Sequence, residues 1–105
     1  MAFGMPHVGG IGRVRITDAD HAMAFSDKEA AKIYRKISKD THLSVEQKQA
    51  LGIVMLEEGR MFILEPNVRV RILGYGWSKT DIQVVEGAHE GLICCTLPEW
   101  VSGDG

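Results

Sequence analysis

The run Val68-Arg69-Val70-Arg71-Ile72-Leu73 sets valine and isoleucine against arginine with a period of two. Successive side chains of a strand point to opposite faces, so this run reads as a strand with one covered and one wetted face. Shorter strands surround it. Met61-Phe62-Ile63-Leu64 is a strand, and Glu65-Pro66-Asn67 is a turn. Gly74-Tyr75-Gly76 is a loop, and residues 79–85 form the next strand, with Thr80, Ile82 and Val84 on one side. Residues 86–91 hold two glycines suited to a hairpin connection, and residues 92–97 form a last strand, apolar on both faces and ended by Pro98. Four short strands with glycine turns predict a small, strongly curved antiparallel sheet or partial barrel over 60–101.

Upstream the period changes. Ser26-Asp27-Lys28-Glu29 has the spacing of a capping box, and Ala30, Ile33, Tyr34 and Ile37 follow on one helical stripe. Ser44-Val45-Glu46-Gln47 repeats the box before a second helix, whose Ala50, Leu51, Val54 and Met55 share a face. Gly52 costs that helix about 1 kcal/mol relative to alanine, which close packing would explain. Gly59 is placed to end the helix in the left-handed conformation. Residues 26–59 therefore read as a helical hairpin, with the stripes Ile33, Tyr34, Ile37 and Leu51, Val54, Met55 buried. Residues 1–25 read as a glycine-rich leader with one short strand at 13–17, where Val14 and Ile16 alternate with Arg13, Arg15 and Thr17.

Length and charge bound the function. At 105 residues the chain is expected to be one domain. Twelve basic and 14 acidic residues leave a formal charge of −2, so no nucleic acid is expected to bind by bulk charge. No apolar run approaches the ~18 residues of a membrane span. Glycines interrupt every apolar stretch before Arg13, so no secretory signal is expected. Cys94 and Cys95 are adjacent and are the only cysteines, which suits two free thiols in a reducing compartment, the cytoplasm.

From Arg60 to Val101 the chain resembles the Src-homology-3-like barrels, particularly their small bacterial members. The resemblance rests on order. A strand leads to the Glu65-Pro66-Asn67 turn and the Val-Arg-Val-Arg-Ile-Leu strand. Gly76-Trp77-Ser78-Lys79 then precedes a strand with Ile82-Gln83-Val84-Val85, and Gly87 and Gly91 flank a hairpin. Pro98-Glu99-Trp100-Val101 looks like the one-turn helix that closes the family's last groove. The resemblance implies a small antiparallel β-barrel over 60–101 and leaves the helical zone out, so the expected fold is α+β, with the helical hairpin of 26–59 packed on that barrel. The family's Ala-Leu-Tyr-Asp-Tyr signature is absent, and Ile93-Cys94-Cys95 stands where bacterial members commonly have Gly-Trp.

Candidate chemistry is sparse. A structural zinc site shows paired ligands two to four residues apart, and neither the cysteines nor His7, His21, His42 and His89 supply such pairs. Cys95 with His89 is the one nucleophile–base pairing, and alternation leaves at most one of Cys94 and Cys95 off the core side. Asp18-Ala19-Asp20-His21 reads as a solvated loop, and Gly9-Gly10-Ile11-Gly12 as a flexible leader rather than a phosphate loop. No metal, cofactor or catalytic residue is expected. Arg13, Arg15, Arg69 and Arg71 would form an anion-binding face if their strands were neighbours. Tyr75, Trp77, Pro98 and Trp100 lie in loops or at strand ends, where rigid scaffolds present contacts. The expected function is a non-enzymatic interaction module that binds a protein or peptide along these four residues. The alternative is a small-molecule or anion-binding accessory domain using the arginine face. Apolar residues left exposed on the hairpin would mark self-association.

Overall fold

The computed structural model describes residues 8–16 and 21–103. Along the chain lie strands β1 (Ile11–Val14) and β2 (Ala22–Phe25), helices α1 (Lys28–Lys39) and α2 (Val45–Glu57), then β3 (Met61–Leu64), β4 (Val68–Tyr75), β5 (Thr80–Val84) and β6 (Ile93–Thr96). A one-turn 3-10 helix at Pro98–Trp100 leads into β7 (Val101–Gly103). The strands form one antiparallel sheet in the order β3-β2-β6-β5-β4-β1-β7. The fold is α+β, with two helices against a seven-stranded sheet.

The sheet is not closed into a barrel. Strand β3 pairs with β2, β7 pairs with β1, and these two edges do not bond each other. The four strands expected over 60–101 are present as β3 to β6, and β1, β2 and β7 extend the sheet. Val14, inside the expected strand at 13–17, sits in β1, which begins at Ile11; Thr17 lies outside the described residues, as do His7, Asp18 and Asp20. The supposed leader glycines Gly10 and Gly12 belong to this sheet region. A Cβ on Gly12 would lie 2.6 Å from the Ser102 carbonyl oxygen, so only glycine lets β7 approach.

Strand β2 has no counterpart in the expected elements. All four residues of Ala22-Met23-Ala24-Phe25 are buried, because the sheet's inner side covers Ala22 and Ala24 while the helices cover Met23 and Phe25. A strand covered on both faces has no polar alternation to betray it. Strand β4 also runs through Gly74 and Tyr75, past a register irregularity after Ile72, where a loop was expected.

The core has two parts. Val14, Val68, Val70, Ile72, Ile82 and Val84 pack inside the curve of the sheet with Leu64 and Cys94. Met23, Phe25, Ala30, Ala31, Met55, Met61, Cys95 and Leu97 pack between the sheet's outer side and the helices. Trp100 touches both parts. Small Ala30 and Ala31 let α1 lie close to the sheet.

The helix starts differ in how well the capping boxes anticipate them. Ser44 accepts from the Gln47 amide while the Gln47 side chain accepts from Ser44, a complete capping box. At α1 the cap is Asp27, not Ser26, and its carboxylate accepts from the Ala30 amide at 2.9 Å. Gly59 has φ +71° as expected, and Gly87 and Gly91 are also positive. The expected burial of α2 is overturned. Met55 is 4 % exposed, whereas Leu51 is 38 % and Val54 46 % exposed. Helix α2 touches the rest of the chain along a narrow line, so most of its apolar surface faces outward.

Candidate binding surfaces

A concavity of about 470 Å³ opens between the two helices. Its base is three buried methionines, Met23 from β2, Met55 from α2 and Met61 from β3. Tyr34 and Ile37 of α1 form one wall, and Val45, Gly52, Ile53 and Leu56 of α2 form the other. Lys48 donates to the Ser38 carbonyl at 3.0 Å and ties the helices together at one end. Unbranched, polarisable methionines adapt to an incoming shape, which suits a groove that takes an apolar side chain.

Gly52 belongs to this groove. A Cβ added there would meet only the Met61 methyl, at 3.7 Å, an ordinary contact. Close packing within the chain therefore does not account for this glycine, contrary to expectation. Sequence reasoning assigned Leu51, Val54 and Met55 to one buried face and so missed the groove. The available signal was the run Ala50-Leu51-Gly52-Ile53-Val54-Met55-Leu56, which is apolar on every side of the helix.

The four aromatic-surface residues occupy two places. Tyr75 ends β4 and borders a concavity of about 250 Å³ with Lys28, Gly74, Gly76, Ser78, Lys79 and Asp81. Trp77, in the loop that follows, is fully exposed. Pro98 and Trp100 lie in the one-turn helix, both partly buried. The Trp100 ring stacks on Phe25 at 6.2 Å and meets Tyr34 edge-on at 5.7 Å. It borders a separate concavity of about 180 Å³, which shares no residue with the one beside Tyr75. Arg35 and Glu99 line that same concavity and hold α1 to the one-turn helix through two hydrogen bonds, at 2.8 and 3.1 Å.

Strands β1 and β4 are neighbours, with Arg13 directly opposite Arg69 and Arg71 opposite Ile11. Arg13, Arg69 and Arg71 thus share the outer face, while Arg15 lies just past the end of β1 and is exposed. Loop carbonyls engage two of the guanidiniums. Arg13 donates to Asn67 at 3.0 Å and Arg71 to Gly9 at 3.4 Å.

Cys94 and Cys95 are both buried, on opposite faces of β6, so the one thiol that alternation could leave off the core side is covered as well. Burial pushes the Cys94 thiol up to about 12, helped by Cys95. Burial also pushes Cys95 up to about 11, with Lys79 pulling against it and Asp81 and Asp27 adding to it. Both thiols stay protonated at neutral pH, which is unfavourable for a nucleophile. His89 packs on the Phe62 ring, with centroids 5.9 Å apart. Among the described residues, no group of three or more His, Cys, Asp or Glu side chains stands together as a metal site, and no helix is long and apolar enough to cross a membrane.

No protein-family model matches the chain, and neither a curated protein nor a solved structure matches it.

Proposed function

We propose that this chain is a non-enzymatic interaction module whose partner seats an apolar helix in the groove between α1 and α2. The observation that carries this reading is the exposed apolar surface of α2 beside a methionine-based concavity. Val45 is 71 % and Ile53 56 % exposed, on a helix whose neighbours leave the groove open. Helix-in-groove recognition uses such a surface, with apolar anchors entering from the partner. Two protonated, buried thiols support the non-enzymatic part, and unpaired cysteines support a reducing compartment such as the cytoplasm.

A second contact site at Tyr75 and Trp77 is favoured by the full exposure of Trp77, since a bare indole is a strong interface anchor. In this reading Pro98 and Trp100 support the fold near the groove through Tyr34. The likeness to Src-homology-3-like barrels draws its support from the strand order over 60–101 and the one-turn helix at Pro98–Trp100. Anion binding at Arg13, Arg15, Arg69 and Arg71 ranks behind, because Arg13 and Arg71 already donate to carbonyls.

The test is a photo-crosslinking residue placed at position 53 in living cells, with position 32 on the exposed side of α1 as control. Discrete adducts from position 53 and none from position 32 are expected. Absence of adducts at 53 rejects the groove as a docking site.

A further inference from the structure

We infer that Gly52 is the seat of one large apolar side chain, a leucine or phenylalanine in kind, carried by the partner's helix; the inference rests on the docking reading above. A glycine inside a helix lowers the folding equilibrium about fivefold relative to alanine, because its backbone loses more freedom. Other glycines of this chain have a local reason. A Cβ would strike the Ser102 carbonyl at Gly12 and the Glu65 carboxylate at Gly87, and Gly59 and Gly91 have positive φ. Gly52 has neither reason. It lies inside α2, and a Cβ there would meet only the Met61 methyl, at 3.7 Å.

The missing side chain leaves a hole. Lys48, Gln49, Met55 and Leu56 stand three or four residues away, so they surround Gly52 on the helix surface, and all four line the groove. Met61 of β3 is the floor. Among the described residues, outside the two chain neighbours of Gly52, no side chain but that of Met61 comes within 4 Å of the Cβ position. The four surrounding side chains are long and hold another backbone off, so only a side chain can reach the floor.

The lining sets the chemistry of that side chain. Two thioethers and a leucine make the hole apolar, and thioethers adapt their shape and pair well with aromatic rings. Lys48 is the one charged residue of the groove lining, so no carboxylate waits there for a basic anchor. A second copy packed antiparallel along α2 would bring Glu46 beside Glu57, like charge against like, so the anchor belongs to a different protein. A glycine that weakens its own helix while opening a hole in a docking groove fits the usual exchange of stability for function.

The test uses the segment that position 53 crosslinks in cells, read by mass spectrometry, made as a peptide and titrated onto the purified full chain. That segment should have helical periodicity and a leucine or phenylalanine whose replacement by alanine weakens binding at least ~10-fold. Gly52→Leu fills the hole and should weaken the parent peptide by a similar factor, yet bind the alanine peptide better than the parent one. Ala50→Leu, exposed on α2 and outside the groove lining, should change binding by less than about twofold. Gly52→Ala should raise the thermal midpoint of the free chain by about 4 °C while weakening the peptide at least ~3-fold. A gain in stability with a loss in binding is what a glycine kept for the fold would not show, and this variant decides the matter if Gly52→Leu does not fold. A lower midpoint for Gly52→Ala overturns the inference. So does a peptide that both Gly52 variants bind as the parent does, with the docking reading left standing. An adduct with this chain's own sequence, with a small molecule or with a segment lacking a large apolar residue also overturns it. If position 53 crosslinks to nothing, the docking reading falls and this inference falls with it.

Discussion

Cys94 and Cys95 are adjacent in the chain yet belong to different parts of the core, Cys94 inside the curve of the sheet and Cys95 beneath the helices. Strand geometry turns neighbours to opposite faces, and both faces of β6 are covered at this point. Neither thiol should react with a bulky disulfide reagent in the native protein. Two thiols should titrate after denaturation without reductant. One fast native thiol would show that the helices do not cover β6 in solution.

Met55 and Leu51 lie one helical turn apart in α2 but differ sharply in burial. Met55→Ala should cost about 2–5 kcal/mol, the usual range for emptying a packed site. Leu51→Ala should stay within about 0.5–1 kcal/mol in dilute solution. Urea unfolding of the two variants checks this, and equal losses would mean that α2 is rotated from the orientation described.

Arg35 and Glu99 join α1 to the one-turn helix, and Glu99 sits below its ordinary 4.5. Burial pushes its carboxyl up, but the Arg35 hydrogen bond, its own backbone amide and the nearby Arg35 and Lys39 charges together outweigh that. A lowered folded value makes this contribution fully present above the unfolded pKa and lost as pH falls through the folded one. The pair is partly exposed, so its worth is at most about 1 kcal/mol. The stability gap between the parent protein and Glu99→Gln should therefore close as pH drops below 4.5. Glu65, also lowered, chiefly by the Ala88 amide, is common to both proteins and cancels in the difference. A gap that persists unchanged in acid would refute the assignment.

Trp77 and Trp100 should separate cleanly in fluorescence and stability. Trp77→Ala should shift unfolding by no more than about 0.5 kcal/mol and remove the indole most quenched by iodide. Trp100→Ala should cost about 3 kcal/mol, since its ring contacts Phe25, Tyr34 and both parts of the core. The reverse ranking would place Trp100, not Trp77, at the open surface.

Local signals carried much of the architecture. Alternation located β4 and β5, since one face of each is wet and the other dry. Ser44-Val45-Glu46-Gln47 gave the start of α2 because a capping box is satisfied within four residues. Gly59, Gly87 and Gly91 marked sites of positive φ for reasons internal to their own backbone. Cys94 and Cys95 were legible as opposite-facing neighbours.

What remained hidden depended on distant residues. Ala22-Met23-Ala24-Phe25 is a strand because β3, β6 and the helices surround it, and none of that is written in four apolar residues. The seven-strand order and the unjoined edges of the sheet follow from β1 and β7 pairing across nearly the whole chain. The burial of α2 was decided by how far the sheet extends beneath it. A helix that is apolar all round can bury any side, and only its tertiary neighbours chose Met55 and left Val45, Ile53 and Leu56 outward.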